Sequence, residues 1–179
     1  MHKIATARVT KRAPRTANPR LSLTHIVRGA MAGDVADIHE FVALNATRGF
    51  VLPRTTEEIA LAVDDYIVVT DTHGRVRGAA ALQEYSPALG EVVSVVVADS
   101  ARGEGLGSMV VLGVEAMARR RGIDELFALT LADRFFESLG YRRTGLDRYP
   151  EKLARYETLA QRGVTIVPKS CYRKGVIAR

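Results

Sequence analysis

The chain has 179 residues, 47% of them apolar, which is enough for one globular domain with a sizeable core. The lone Cys171 excludes an intramolecular disulfide, and His2, His25, His39 and His73 show no metal-ligand spacing, so no metal site is expected. The net charge of +6 is confined to residues 1–24, where Lys3, Arg8, Lys11, Arg12, Arg15 and Arg20 stand with no acid; the body, 25–179, is balanced, which argues against a nucleic-acid partner.

Residues 1–24 read as a basic, disordered tail, because they are short of large apolar groups. An arm for an anionic partner and an organelle transit peptide stay open, although Pro14 and Pro19 would interrupt an amphipathic helix. No apolar run nears the roughly 18–20 residues that span a bilayer, so no membrane contact is expected. The first residues also lack the apolar stretch of a secretory signal, and a cytoplasmic protein is the default.

Order is expected from Leu23, with LTHIVRGA as a short strand. Gly33-Asp34 opens a helix whose Val35, Ile38, Phe41 or Val42, and Leu44–Asn45 share a face, and Gly49 marks its exit. Pro53 keeps TRGFVLPR a loop, and Thr55-Thr56 before Glu57-Glu58 starts a second helix running to about Val63. YIVVT (66–70) and VRGAAALQEY form a hairpin about the turn DTHGR. EVVSVVVA (91–98) is a near-continuous valine run, which predicts a central strand buried on both faces.

A glycine-rich loop, DSARGEGLG, follows. SMVVLGVEAMARRRG then reads as a helix with Met109, Leu112 and Ala116 inward, and Val110 and Val114 as further inward candidates, closed by arginines and Gly122. DELFALTL is a buried strand, ADRFFESLG a short helix, YRRTG a strand start, and 150–162 a helix. VTIVPKSCYRKGVI has strand character in two pieces around Pro168. The order predicts an α/β (α+β) fold, a mixed sheet of about six or seven strands with helices on both faces.

The loop from Asp99 to Ser108 joins a buried strand to a helix. Glycines at alternate positions, Gly103, Gly105 and Gly107, free backbone amides to face a ligand, and the helix adds its N-terminal dipole, making an anion cradle suited to a pyrophosphate. A Walker A loop would need Lys-Ser/Thr after its last glycine, where Ser108-Met109 stands; a Rossmann fingerprint would need its third glycine at Ser108.

Arg102-Gly103-Glu104-Gly105-Leu106-Gly107 resembles the acetyl-CoA motif of the GNAT N-acetyltransferases. ADRFFESLGY resembles that superfamily's second motif, with Ala132, Glu137, Gly140 and Tyr141 in register and Phe136 where a proton-donating tyrosine is common. The resemblance implies acetyl-CoA as cosubstrate, held by Val95, Val97, Arg102, Gly103, Gly105, Gly107 and Ser108, with no metal. GEVVSVVVAD, LFALTLADRFFESLGY, the VLPRT loop and PKSCYRKGVI further resemble the acetyltransferase domain of bacterial N-acetylglutamate synthase, over roughly 25–177.

This second resemblance implies a small-molecule amine acceptor, L-glutamate, in the opening step of arginine biosynthesis, and leaves a homodimer open. Glu91 is matched to the glutamate of the catalytic base path, Thr130 to a hydroxyl beside the sulfur, Arg54 to an arginine on the substrate carboxylate, and Ser170 to a serine near the substrate. Lys169 departs from the family's asparagine. The chemistry agrees: an ammonium must lose a proton before attacking a thioester, and the amides of Val93–Val97 offer donors to the oxyanion. Another amine acceptor and a non-catalytic acetyl-CoA-binding module remain alternatives.

Overall fold

The computed structural model describes residues 24–177, so the expected tail lies, but for Thr24, outside the described residues. Seven strands run in the order β1-β2-β3-β4-β5-β7-β6: β1 (His25–Gly29), β2 (Tyr66–Asp71), β3 (Val76–Ser86), β4 (Leu89–Val97), β5 (Glu125–Thr130), β6 (Arg142–Thr144) and β7 (Ser170–Gly175). All neighbours are antiparallel except β4 and β5. The helices are α1 (Val35–Thr47), α2 (Thr56–Leu61), α3 (Leu106–Arg120), α4 (Asp133–Ser138) and α5 (Pro150–Gln161). Among the described residues no helix is long and apolar enough to cross a membrane.

The apolar strands are runs rather than alternations because the sheet is covered on both faces. One layer packs α3 on Ile67, Val69, Ala80, Leu82, Val92 and Leu126. The other sets α1 and α2, through Val35, Ile38, Val42 and Ile59, on Tyr66, Val68, Ala79, Ala81 and Val96. α2 begins where its capping signal stands: Thr55 Oγ1 accepts the Glu58 N–H, and the Glu58 carboxylate accepts the Thr55 N–H.

α3 starts two residues before the expected Ser108, on Gly105 in the left-handed region at φ 81°. Its inward face is Leu106, Val110, Val111, Val114, Met117 and Ala118, whereas Leu112 is exposed and Met109 and Ala116 only half-buried. Gly113 explains the rotation. A Cβ there would lie 2.7 Å from Ile67 Cγ2, so the helix approaches β2 along the glycine side. The expected strand piece before Pro168 is absent: residues 164–169 are irregular, and β7 alone is strand.

β4 holds the feature that shapes the site. Val92 belongs to the α3 layer and Val96 to the α1 layer, although four residues apart they would share a face in a regular strand. Pairing jumps from Ala81↔Val93 to Ala79↔Val96, so β4 carries one extra residue, and Ser94 sits at φ 54°. Beyond the bulge β4 no longer follows β5. Their pairing covers only Leu89–Glu91 against Glu125–Phe127, while β5 continues against β7 to Thr130↔Ser170. The sheet therefore opens between Val92–Val97 and Leu129–Thr130. Val93, Val95 and Val97 are half-buried, contrary to burial on both faces, because they border this opening.

The turn before α1 is pinned to β1 by Arg28, whose two Nη groups donate to Asp34 at 2.6 and 2.8 Å; Asp34 also accepts the Met31 N–H. The Arg28 hydrogen bonds hold the Asp34 carboxyl below its ordinary value, against the opposing effect of burial. A carboxyl more acidic in the native state stabilises the fold fully above its unfolded value of about 3.9, and that contribution is lost as pH falls through the native value. Asp34→Asn is expected to be less stable than wild type at pH 6–7, with the gap narrowing below about pH 4. Urea midpoints measured across that range check this; a gap independent of pH would rule it out.

Candidate active site

Where β4 and β5 part, a cleft of about 410 Å³ is lined by Val92, Val95, Val96 and Val97 of β4, Leu129 and Thr130 of β5, Phe135 and Phe136 of α4, and Arg102 and Gly107. At its mouth the glycine loop meets α3. Gly103 and Gly105 have φ of 84° and 81°, and a Cβ on either would point into open space. Here glycine supplies the left-handed turns that aim the backbone. The N–H groups of Gly103 through Ser108 find no acceptor among the described residues, so the cradle presents free donors together with the N-terminal dipole of α3. Arg102 is tied to Asp99 at 2.8 Å, and Asp99 also receives both Nη groups of Arg48 at 3.1 and 2.9 Å.

A smaller chamber of about 50 Å³ adjoins this cleft, sharing Phe50, Val51, Val92 and Leu129 with it. Its walls carry the cations Arg54, Lys152, Arg155 and Lys169, and one carboxylate, Glu91. Glu91 is 3% exposed. Lys152 Nζ lies 2.8 Å from its Oε1 and 2.9 Å from its Oε2, which also accepts the Tyr85 hydroxyl at 2.9 Å.

The position of Lys152 follows from the start of α5. Pro150 occupies its first turn, and the Tyr149 ring stacks on Phe127 of β5 at 3.9 Å while its hydroxyl donates to Glu125 at 3.0 Å. Phe127 is the register partner of Glu91, so anchoring Tyr149 there delivers Lys152 to that carboxylate. Arg155 and Tyr156, three and four residues on, share the same helix face. Arg155 donates to Gln83, and the Lys152 ammonium lies 4.7 Å from the Tyr156 ring centroid. Burial pushes Lys152 below the usual lysine range against the pull of Glu91; burial and then Lys152 do the same to Lys169. Lys169 donates to the Phe50 carbonyl at 2.9 Å, closing the chamber on that side.

The residues singled out in the sequence fall into three places. Arg102 and Gly107, with Val95, Val97 and Thr130, line the cleft, with Gly103, Gly105 and Ser108 in its cradle. Thr130 Oγ1 accepts the Ala132 N–H at 2.8 Å, and its hydroxyl has no acceptor among the described residues. Glu91 and Arg54 meet in the chamber. Ser170 is not part of the chamber wall: it donates to Asp133 at 3.1 Å and borders a separate open hollow. Tyr141 is buried against Phe136 in the α3 layer. Lys152, Arg155, Tyr156 and Tyr85 were not singled out; the Lys-x-x-Arg-Tyr spacing in 152–156 was the available signal, marking one helix face.

The acetyltransferase (GNAT) family model matches residues 37–141. An uncharacterized N-acetyltransferase of Chlorobaculum tepidum is 33% identical over 129 residues, 72% of this chain and 83% of that protein. An amino-acid acetyltransferase of Pectobacterium atrosepticum is 27% identical over 70% of this chain, but the match spans only 29% of that protein. Among solved structures, Rv2747 of Mycobacterium tuberculosis, in complex with CoA and NLQ, has a TM-score of 0.74 and 25% identity, covering 85% of this chain and 99% of its own. The N-acetylglutamate synthase of Neisseria gonorrhoeae, complexed with coenzyme A and N-acetyl-glutamate, has a TM-score of 0.75 at 22% identity, covering 86% of this chain and 35% of its own.

Lys152→Met or Glu91→Gln alone leaves one buried partner without its counter-charge, and each is expected to cost about 3–5 kcal/mol. Replacing both removes the mismatch, so the double variant should lose far less than the sum of the two. Urea unfolding of the four proteins measures the coupling; strictly additive losses would mean that the two side chains do not interact.

Proposed function

This chain belongs to the GNAT acetyltransferase family, and we propose that it transfers the acetyl group of acetyl-CoA to the α-amino group of an acidic amino acid, with L-glutamate the acceptor. The observation that carries the reading is the chamber beside the cleft, where Arg54, Lys152, Arg155 and Lys169 surround the single carboxylate of Glu91. Such walls attract carboxylates and repel polyamines or aminoglycosides, which need acidic sites. The amino-acid acetyltransferase relatives support an amino-acid acceptor. The reaction would be the first step of arginine biosynthesis, in the cytoplasm.

The residues present suit acetyl-CoA. Free amides from Gly103 to Ser108 at a helix N-terminus fit a pyrophosphate, and the apolar walls of the parted strands fit its pantetheine arm. Acetyl-CoA supplies the thioester carbonyl; the chain's own groups do the rest. Arg54, which makes no hydrogen bond or ion pair within the described residues, is left to hold the acceptor carboxylate. Glu91 takes the proton of the acceptor ammonium, and the freed amine attacks the carbonyl carbon. Backbone N–H groups on the bulged part of β4 receive the oxyanion. The Thr130 hydroxyl donates a hydrogen bond to the departing sulfur, and Phe136, lacking a hydroxyl, has no part in proton transfer.

Acetyl-CoA is expected to raise the melting temperature by mass action. Gly105→Val, which puts a β-branched side chain at φ 81° and fills the space before the cradle, should abolish that shift while the free protein still melts cooperatively; an unchanged shift would remove the loop from the cofactor site.

With purified protein and released thiol as the readout, L-glutamate should be acetylated in preference to polyamines. Arg54→Ala should chiefly raise KM for glutamate, and Glu91→Gln should lower kcat by about 10²–10⁴-fold and remove the acidic limb of the pH–rate profile. A wild-type enzyme that ignores glutamate but acetylates a polyamine would overturn the acceptor while leaving the acetyltransferase intact.

A further inference from the structure

We propose that Lys152 is a positioning residue for acetyl transfer: as the counter-charge on both carboxylate oxygens it holds Glu91 in place in the wall of the acceptor chamber, an inference that rests on Glu91 being the proton acceptor. A carboxylate this deeply buried would by itself favour its neutral form. Lys152 meets both of its oxygens, at 2.8 and 2.9 Å, and is itself almost wholly buried, so each charge is the principal compensation for the other. Tyr85 occupies Oε2, which leaves Oε1, touched by Lys152 alone, as the oxygen with room for an incoming proton.

The other groups facing this pair are Tyr85 from β3, Arg54 from the loop before α2, Arg155 and Tyr156 from α5, and Lys169 and Cys171 around the start of β7. None of the cations among them is within ion-pair distance of Glu91; only Lys152 is. Their combined positive charge also favours proton loss from an ammonium bound in the chamber. In the step itself, one proton leaves the acceptor ammonium for Glu91 Oε1, the nitrogen lone pair forms the N–C bond, and as the C–S bond breaks the second proton lost from that nitrogen passes to the departing sulfur, which leaves as the thiol. Lys152 gains and loses no proton. It acts through its charge and its hold on the carboxylate.

The sign of the expected effect follows from the ion pair alone: taking a cation from beside a buried carboxylate favours the neutral form, so loss of Lys152 is expected to narrow the acidic range in which the enzyme works. The test is the pH dependence of kcat at saturating acetyl-CoA for wild type, Lys152→Met, Lys152→Arg, Glu91→Gln and the double Glu91→Gln/Lys152→Met protein, each checked for an acetyl-CoA thermal shift.

Lys152→Met should move the acidic limb upward by at least about one pH unit and recover rate as pH rises, and Lys152→Arg should return the limb towards wild type. The double variant should be as slow as Glu91→Gln alone, because Lys152 has nothing left to act through. If Lys152→Met proves too unstable to assay, the arginine and double variants carry the test. A rate lowered by one factor at every pH, or a double variant faster than Glu91→Gln, would overturn the role of Lys152. If Glu91→Gln keeps the wild-type rate and limb, the reading of Glu91 as base fails and this inference goes with it; a slow Glu91→Gln with an unmoved Lys152→Met limb sinks this inference alone.

Discussion

The extra residue in β4 is the constraint on which the remainder of the site depends. A regular strand would stay paired with β5 along its length, and the sheet would be a closed surface with nowhere to admit a ligand. At Ser94, with φ at 54°, the strand gains a residue, exchanges the faces of the valines that follow, and turns away from β5. That one irregularity creates the cleft, leaves β4 backbone donors beside it, and brings the end of the strand to the glycine loop. A non-glycine residue with positive φ carries backbone strain, offset here by the two packed layers that grip β4 from either side.

Just before the bulge, the last residue of β4 to pair with β5 is Glu91. Its place at the fork explains how a carboxylate can be buried in the sheet and still border a cavity. The ion pair with Lys152 also links the sheet to α5, whose start is fastened to β5 through Tyr149 and Phe127. Electrostatics and architecture are thus joined: the helix that completes the chamber is held partly by a buried ion pair in its wall. A buried ion pair adds little net stability over an apolar pair of similar shape, so its presence here is better explained by the site than by the fold.

The chamber and the cleft divide the recognition. Largely apolar walls and free amides line the cleft, with Arg102 at its edge, while the chamber is walled by cations around one carboxylate. The two meet at Val92 and Leu129, where the strands separate. Under the proposed function a thioester in the cleft and an amine in the chamber would meet there, as direct transfer between two bound substrates needs.

Much of this was legible in the chain by itself. Hydrophobic periodicity, capping residues and turn glycines are local signals, and they set the element order, the capping box at Thr55 and Glu58, the central place of the valine strand and the glycine turns at Gly103 and Gly105. The tertiary structure decided what local signals cannot carry. The bulge at Ser94 is a register relation between two strands, invisible within either. The inward face of α3 was settled by how closely Gly113 lets it approach Ile67, and Ser170 is engaged by Asp133, 37 positions away. Lys152 looks in sequence like any charged residue on an amphipathic helix. Only when β5 holds Tyr149 against the residue paired with Glu91 do a lysine and a glutamate 61 positions apart become one buried pair, because burial and charge pairing are properties of the folded contact and of neither residue alone.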